Sequence, residues 1–61
     1  MGKLRELREK RKLTQEALAN QLGIDRTTVA KWESGENMPR AGMLLTLAKI
    51  LRCKVDFLLQ P

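Results

Sequence analysis

The 61-residue chain has no histidine, no tyrosine, one cysteine, two prolines and two aromatic residues. A lone cysteine excludes an internal disulfide, and one cysteine without histidine provides too few ligands for a structural zinc site. No apolar run reaches the roughly 18 residues of a membrane span, and no segment resembles a signal peptide. Aromatic and β-branched residues are too sparse to favour a sheet. We therefore expect a helical protein of the cytoplasm, where free thiols stay reduced.

The same absences argue against an enzyme. The sequence offers no histidine or tyrosine, no convergent pair of carboxylates and no glycine-rich phosphate loop. A domain of this size buries only about 60% of the surface that its unfolded chain exposes, which leaves no room for a deep cleft and its supporting residues. We expect one domain over residues 1–61, with no catalytic site, no cofactor and no metal.

Positive charge is what the sequence has in excess. Twelve lysines and arginines stand against seven acidic residues, a formal net charge of +5. This excess suits a polyanionic partner such as nucleic acid. The charge alone is equally compatible with a domain that needs it only for solubility.

The spacing of apolar residues predicts helix after helix. The predicted helices span residues 3–12, 15–22, 26–34, 41–51 and 55–59. Thr14 and Asp25 are candidate N-caps of the second and third helices, because their side-chain oxygens can accept a free backbone N–H. Gly23 and Gly35 are placed to end the same two helices in the left-handed conformation.

The stretch from Thr14 to Gly35, TQEALANQLGIDRTTVAKWESG, has the plan of a helix-turn-helix: two short helices joined by a glycine-containing turn. Ala19 is small enough for the helices to cross closely, and we expect a bulky residue there, or a β-branched residue at position 23, to push them apart. Val29 and Trp32 lie three residues apart and are predicted to face the first two helices. Trp32 is then a partly exposed anchor and not an aromatic that stacks on a base.

With these residues in place, the chain resembles the Cro and phage-repressor type of helix-turn-helix domain, the Xre family. The stretch LRELREKRKLTQEALANQLGIDRTTVAKWESG is similar to the first three helices of that family, and PRAGMLLTLAKILRCKVDFLL to the fourth and fifth. The resemblance implies an all-α, compact five-helix, lambda-repressor-like DNA-binding domain. Family members bind double-stranded DNA, usually as dimers on palindromic operators, and regulate transcription in bacteria and phages.

The resemblance also implies roles for single residues. Arg26, Thr27 and Lys31 match the positions that contact bases from a helix in the major groove. The positions implied for contacts with the DNA backbone are Gln15, Thr28, Asn37 and Arg40. The alternative for Arg26 and Lys31 is an ordinary solvated helix face.

Other positions concern the fold. Arg8 and Glu33 match a family ion pair that fixes the third helix against the first. Lys12 and Arg52 stand where glycine often ends the first and fourth helices, and Lys54 replaces the usual Ser or Thr cap of the last helix. We interpret Cys53 as a core-filling residue, because it has no partner that would lower its pKa.

The last predicted helix is rich in apolar residues and has two interpretations. Phe57, Leu58 and Leu59 can pack across the interface of a homodimer, or they can close the core of the monomer, which is the expected role for at least one of them. The sequence does not distinguish the two roles.

Three functions remain. The leading hypothesis is a sequence-specific transcriptional regulator, and within it a repressor. The second is an antitoxin or accessory subunit that binds a protein partner and uses DNA binding for autoregulation. The third, an interaction module that has lost DNA binding, is weakened because Gln15, Arg26 and Lys31 occur together with the positive charge.

Overall fold

The computed structural model describes residues 1–60, which form five helices and no strand. The helices are α1 (Gly2–Lys10), α2 (Gln15–Leu22), α3 (Arg26–Ser34), α4 (Ala41–Leu51) and α5 (Val55–Leu58). The prediction of a compact all-α fold is confirmed, and α2, α3 and α4 have the predicted bounds. No helix within residues 1–60 is long and apolar enough to cross a membrane.

Three helix ends follow the sequence prediction closely. Thr14 Oγ1 accepts a hydrogen bond from the Ala17 N–H at 3.0 Å, which caps α2. Gly23 and Gly35 end α2 and α3 with φ angles of 70° and 85°, in the left-handed region that glycine adopts without strain. Asp25 occupies the N-cap position of α3, but its side chain makes no capping hydrogen bond.

Two non-glycine residues share that left-handed conformation. Lys12 has a φ of 58° and Arg52 a φ of 56°, at the two positions where the sequence departs from the family preference for glycine. Because the backbone turns at Lys12, α1 ends at Lys10, two residues before its predicted end. Lys54 precedes α5 and provides no side-chain cap.

The core lies between all five helices and consists of ten buried side chains: Leu4, Leu7, Leu18, Ala19, Val29, Trp32, Leu47, Ala48, Leu51 and Leu58. Ala19 and Val29 are both buried, as the predicted close crossing of α2 and α3 requires. Trp32 is only 5% exposed, so the prediction of a partly exposed anchor is wrong. Cys53 packs against this core as expected, and burial raises the pKa of its thiol although the Arg11 charge opposes the rise.

The role expected of a small residue at position 23 needs a correction. A Cβ atom added to Gly23 would meet nothing within 4 Å, so a side chain there would not push the helices apart at its first carbon. What requires glycine is the backbone conformation, since the φ of 70° strains any residue that has a Cβ.

The structure separates the three apolar residues of the last helix. Leu58 is fully buried and closes the monomer core, so its proposed place in a dimer interface is wrong. Phe57 and Leu59 are 38% and 45% exposed. Phe57 in α5 and Leu59 just after it are therefore the exposed apolar residues of this segment.

Candidate nucleic-acid interface

Helix α3 has two chemically different faces. Val29 and Trp32 are buried against the rest of the fold, while Arg26, Thr27 and Lys31 are exposed. Residues four apart lie on the same side of a helix, so Thr27 and Lys31 share one outer face. A buried apolar side and an exposed side of hydrogen-bonding groups are what a helix needs to enter a groove of DNA while staying attached to its domain.

Lys31 has a neighbour that the sequence analysis missed. Its Nζ atom lies 3.8 Å from Oε2 of Glu36, and the two side chains are 50% and 64% exposed. An ion pair this exposed contributes little, so the ammonium group is free to exchange Glu36 for another anion. The five-residue separation spans the end of α3, where no helical periodicity predicts a contact.

An open groove lies between the N-terminal ends of α2 and α3. Gln15 and Arg26 line it together, with Thr14 and Glu16. Thr14 caps the Ala17 N–H, but the first N–H groups of α2 have no acceptor within the helix. These free donors and the positive end of the helix dipole make the α2 terminus a favourable place for an anion such as phosphate.

Behind this groove, the Glu33 carboxylate is the centre of a buried polar network. Arg8 Nε donates to Glu33 Oε2 at 2.6 Å, and the two side chains are only 9% and 7% exposed. Arg8 Nη1 donates to the carbonyl oxygen of Leu13 at 2.7 Å. The predicted ion pair is confirmed, and it connects α1, the turn that follows α1, and the end of α3.

The same carboxylate also holds Gln15. Its Nε2 atom donates to Glu33 Oε1 at 3.0 Å, which orients the amide at the start of α2. The sequence alone does not predict this contact, since residues on different helices have no fixed spacing. One N–H of the amide remains for an external acceptor.

The loop after α3 forms a second exposed region. Asn37 and Arg40 are both exposed and line a groove with Trp32, Met38, Pro39 and Met43. Arg40 is also the N-cap residue of α4.

Thr28 differs from the other predicted contact residues. It is half-buried, and its N–H donates to the Asp25 carbonyl oxygen at 3.0 Å. It lies at the side of α3 and not on the outer face. Within residues 1–60, no group of His, Cys, Asp or Glu side chains is placed to hold a metal ion.

Comparisons with known proteins agree on one family. The helix-turn-helix family model matches residues 4–58. The transcriptional activator BcrR of Enterococcus faecalis is 44% identical over 57 residues, which are 93% of this chain and 28% of that protein. Repressor protein C2 of Salmonella phage P22 is 36% identical, over 95% of this chain and 27% of its own length. The regulator DicA of Escherichia coli is 35% identical, over 93% and 42%.

The chain thus spans between about a quarter and two fifths of the length of these relatives. No solved structure matches it significantly. The family match begins within α1 and runs to the end of α5, so it includes the Arg8–Glu33 ion pair and the glycine-terminated helices α2 and α3. The chain belongs to the helix-turn-helix family, of the Cro and phage-repressor type.

Proposed function

We propose that this chain is the DNA-binding unit of a transcriptional regulator, and that α3 enters the major groove of an operator. The observation that carries the proposal is the division of α3 into a buried side, with Val29 and Trp32, and an exposed polar side. Insertion of a helix from a helix-turn-helix is the docking geometry that this division fits.

Residues on the exposed side of α3 contact the bases. Arg26 lies in the first turn, where a recognition helix comes closest to base edges, and its guanidinium can donate two hydrogen bonds to guanine O6 and N7. Lys31 exchanges its weak ion pair with Glu36 for an acceptor atom of guanine. Thr27 presents a hydroxyl and a methyl group to the bases.

Backbone contacts surround the base-contacting residues. Gln15 and the free N–H groups of α2 bind one phosphate. Asn37 and Arg40 bind the backbone on the other side of α3, and Thr28 donates to a nearby phosphate. These contacts fix the position of the domain on the duplex but do not select its sequence.

The direction of regulation is a separate step. The named relatives include an activator and a repressor, so operator binding is the event they share. We assign this chain to a cytoplasmic regulator that acts most simply as a repressor by occupying its operator. Two copies associate through the exposed Phe57 of α5 and Leu59 just after it, and place two recognition helices on a palindromic site.

Selection from a pool of random duplexes, repeated at two salt concentrations, tests the proposal. We expect one motif at both concentrations, with half-sites about 10 base pairs apart if two copies bind side by side. Binding that is strong at low salt, disappears at high salt and enriches no motif would contradict the proposal. A protein would then be the remaining partner.

A further inference from the structure

The positive charge of this chain lies mostly outside its helix-turn-helix. Residues 14–40 carry three basic and four acidic side chains. Residues 1–13 carry six basic and two acidic side chains, and residues 41–61 carry three and one. The unit proposed to bind DNA is therefore slightly negative, although neutralisation of phosphates dominates the affinity of most proteins for DNA.

Many of the basic residues outside the helix-turn-helix lie where the C-terminal ends of α1 and α4 come together. Arg11 Nε donates to the carbonyl oxygen of Leu51 at 3.3 Å, which joins the two ends. Five exposed cations lie at this junction, which we name the basic corner: Lys10, Arg11, Lys12, Arg52 and Lys54. Among residues 1–60 the ion pairs all lie elsewhere, so none of the five is neutralised by a carboxylate.

Two of these cations occupy strained backbone. Lys12 and Arg52 have φ angles of 58° and 56°, where glycine would be relaxed. Cations near helix C-termini gain some energy from the helix dipole, which is a purely structural reason for the charge. The dipole effect alone does not require lysine or arginine at the two strained positions, because Lys10 and Lys49 already lie in the last turns of α1 and α4.

The basic corner adjoins the proposed phosphate site. Lys12 precedes Gln15 by three residues, so their Cα atoms are at most about 11 Å apart. Successive phosphates of one strand rise about 3.4 Å along the duplex axis. Phosphates next to one bound at Gln15 are therefore within reach of the Lys12 side chain. The hydrogen bond from Arg11 to Leu51 places Arg52 at the same junction as Lys12.

We infer that the basic corner is a second DNA-binding surface, which holds phosphates of the duplex flanking the operator. The inference rests on the proposed function, because it extends the same duplex beyond Gln15. Two observations favour DNA over an acidic protein as the occupant. The corner adjoins the proposed phosphate site at Gln15, and residues 14–40 have no excess of basic residues with which to neutralise phosphates. The basic corner supplies affinity from the flanks, and α3 supplies sequence selection.

The test compares two duplexes: one ending at the borders of the selected motif, and one extended by about one helical turn, 10 base pairs, on each side. The variants are Lys12→Gln and Arg52→Gln, which keep a non-glycine residue at each position. Lys3→Gln is the matched control, because it removes the same charge at the opposite end of α1, where Lys3 lies over the Phe57 ring and near Glu6. Thermal melting checks that all variants are folded.

We expect the native protein to bind the extended duplex more tightly and with a steeper dependence on salt. On the extended duplex alone, each corner variant should lower the slope of log affinity against log salt concentration by about 0.9. Between 50 and 200 mM salt, the affinity of the variant then falls about threefold less than that of the native protein. Lys3→Gln should leave the difference between the two duplexes unchanged.

Other outcomes overturn the inference in distinguishable ways. Equal effects of all three variants on both duplexes would mean that the corner acts only through net charge. Unchanged DNA binding by both corner variants would leave an acidic protein as the occupant. Native protein that binds the short duplex without gain from flanks contradicts the inference alone, whereas failure to bind either duplex contradicts the proposed function.

Discussion

At the scale of single residues, Glu33 connects stability with recognition. Its carboxylate is 7% exposed and accepts hydrogen bonds from Arg8 on α1 and from Gln15 on α2. A carboxylate on the helix that is proposed to face DNA would repel phosphates if it were unpaired. Its neutralisation by Arg8 lets α3 approach a polyanion, and its bond to Gln15 sets the amide at the proposed phosphate site.

Removal of Arg8 should destabilise the fold, because the Glu33 charge stays buried without its partner. We expect Arg8→Ala to lower the free energy of unfolding by about 3 kcal/mol, because it leaves Glu33 buried and unpaired. For a domain of this size that corresponds to a fall in melting temperature of at least about 12 °C. Differential scanning calorimetry measures the change directly.

Arg5→Ala is the matched control for that prediction. Arg5 pairs with Glu9 at 3.3 Å on the surface, where the two side chains are 70% and 55% exposed. A solvated pair of this kind contributes less than about 1 kcal/mol. Similar losses of stability in the two variants would show that the burial of the Arg8 pair has no special effect.

At the scale of elements, the helix ends are where sequence and structure correspond most clearly. Thr14, Gly23 and Gly35 were identified as helix ends from the sequence, because capping and left-handed conformations depend on local chemistry that a sequence displays. Long-range contacts were less predictable. The bond from Gln15 to Glu33 joins two helices whose relative placement only the packed core determines.

Exposure was predicted less well than helix position. Trp32 lies among polar neighbours in the sequence, yet it is buried as part of a core to which all five helices contribute. Leu45 lies in the apolar run of α4, yet it is 59% exposed because the helix turns it away from the core. Periodicity identifies a face, whereas the covering of that face depends on distant segments of the chain.

The left-handed helix ends allow a test of backbone strain. We expect Lys12→Gly and Arg52→Gly each to raise stability by about 0.5–1 kcal/mol, since relief of strain exceeds the greater freedom of glycine in the unfolded chain. Gly23→Ala should lower it by about 1 kcal/mol through strain alone, because its Cβ meets no neighbour within 4 Å. Urea titration measures all three, and a loss of stability in both glycine variants would contradict this explanation.

At the scale of the whole molecule, two surfaces lie outside the proposed base-contacting face of α3 and the two grooves beside it. One is the basic corner, and the other is the exposed apolar pair formed by Phe57 in α5 and Leu59 just after it. Helix α5 has only four residues and no side-chain cap, so contact with a second copy would stabilise it. We propose that both surfaces act on the operator complex, one by holding flanking DNA and the other by pairing two recognition helices.

The dimer prediction has a test with an internal control. Leu59→Glu should abolish association and reduce binding to a two-half-site operator, because it places a charge in the proposed apolar contact. Leu45→Glu introduces the same charge at another exposed leucine, on α4, and should leave association unchanged. Sedimentation velocity with and without DNA measures the oligomeric state. A native protein that stays monomeric at high concentration in both cases would contradict the dimer prediction.

The central claim is that α3 selects sequence while its surroundings bind the backbone. The most direct measurement is the affinity of Arg26→Ala and Gln15→Ala for every single-base variant of the selected operator. We predict that Arg26→Ala loses discrimination at one base position, at a cost of about 1–3 kcal/mol, while Gln15→Ala weakens all sequences alike. Uniform weakening by Arg26→Ala, with the preference at every base position intact, would contradict the claim.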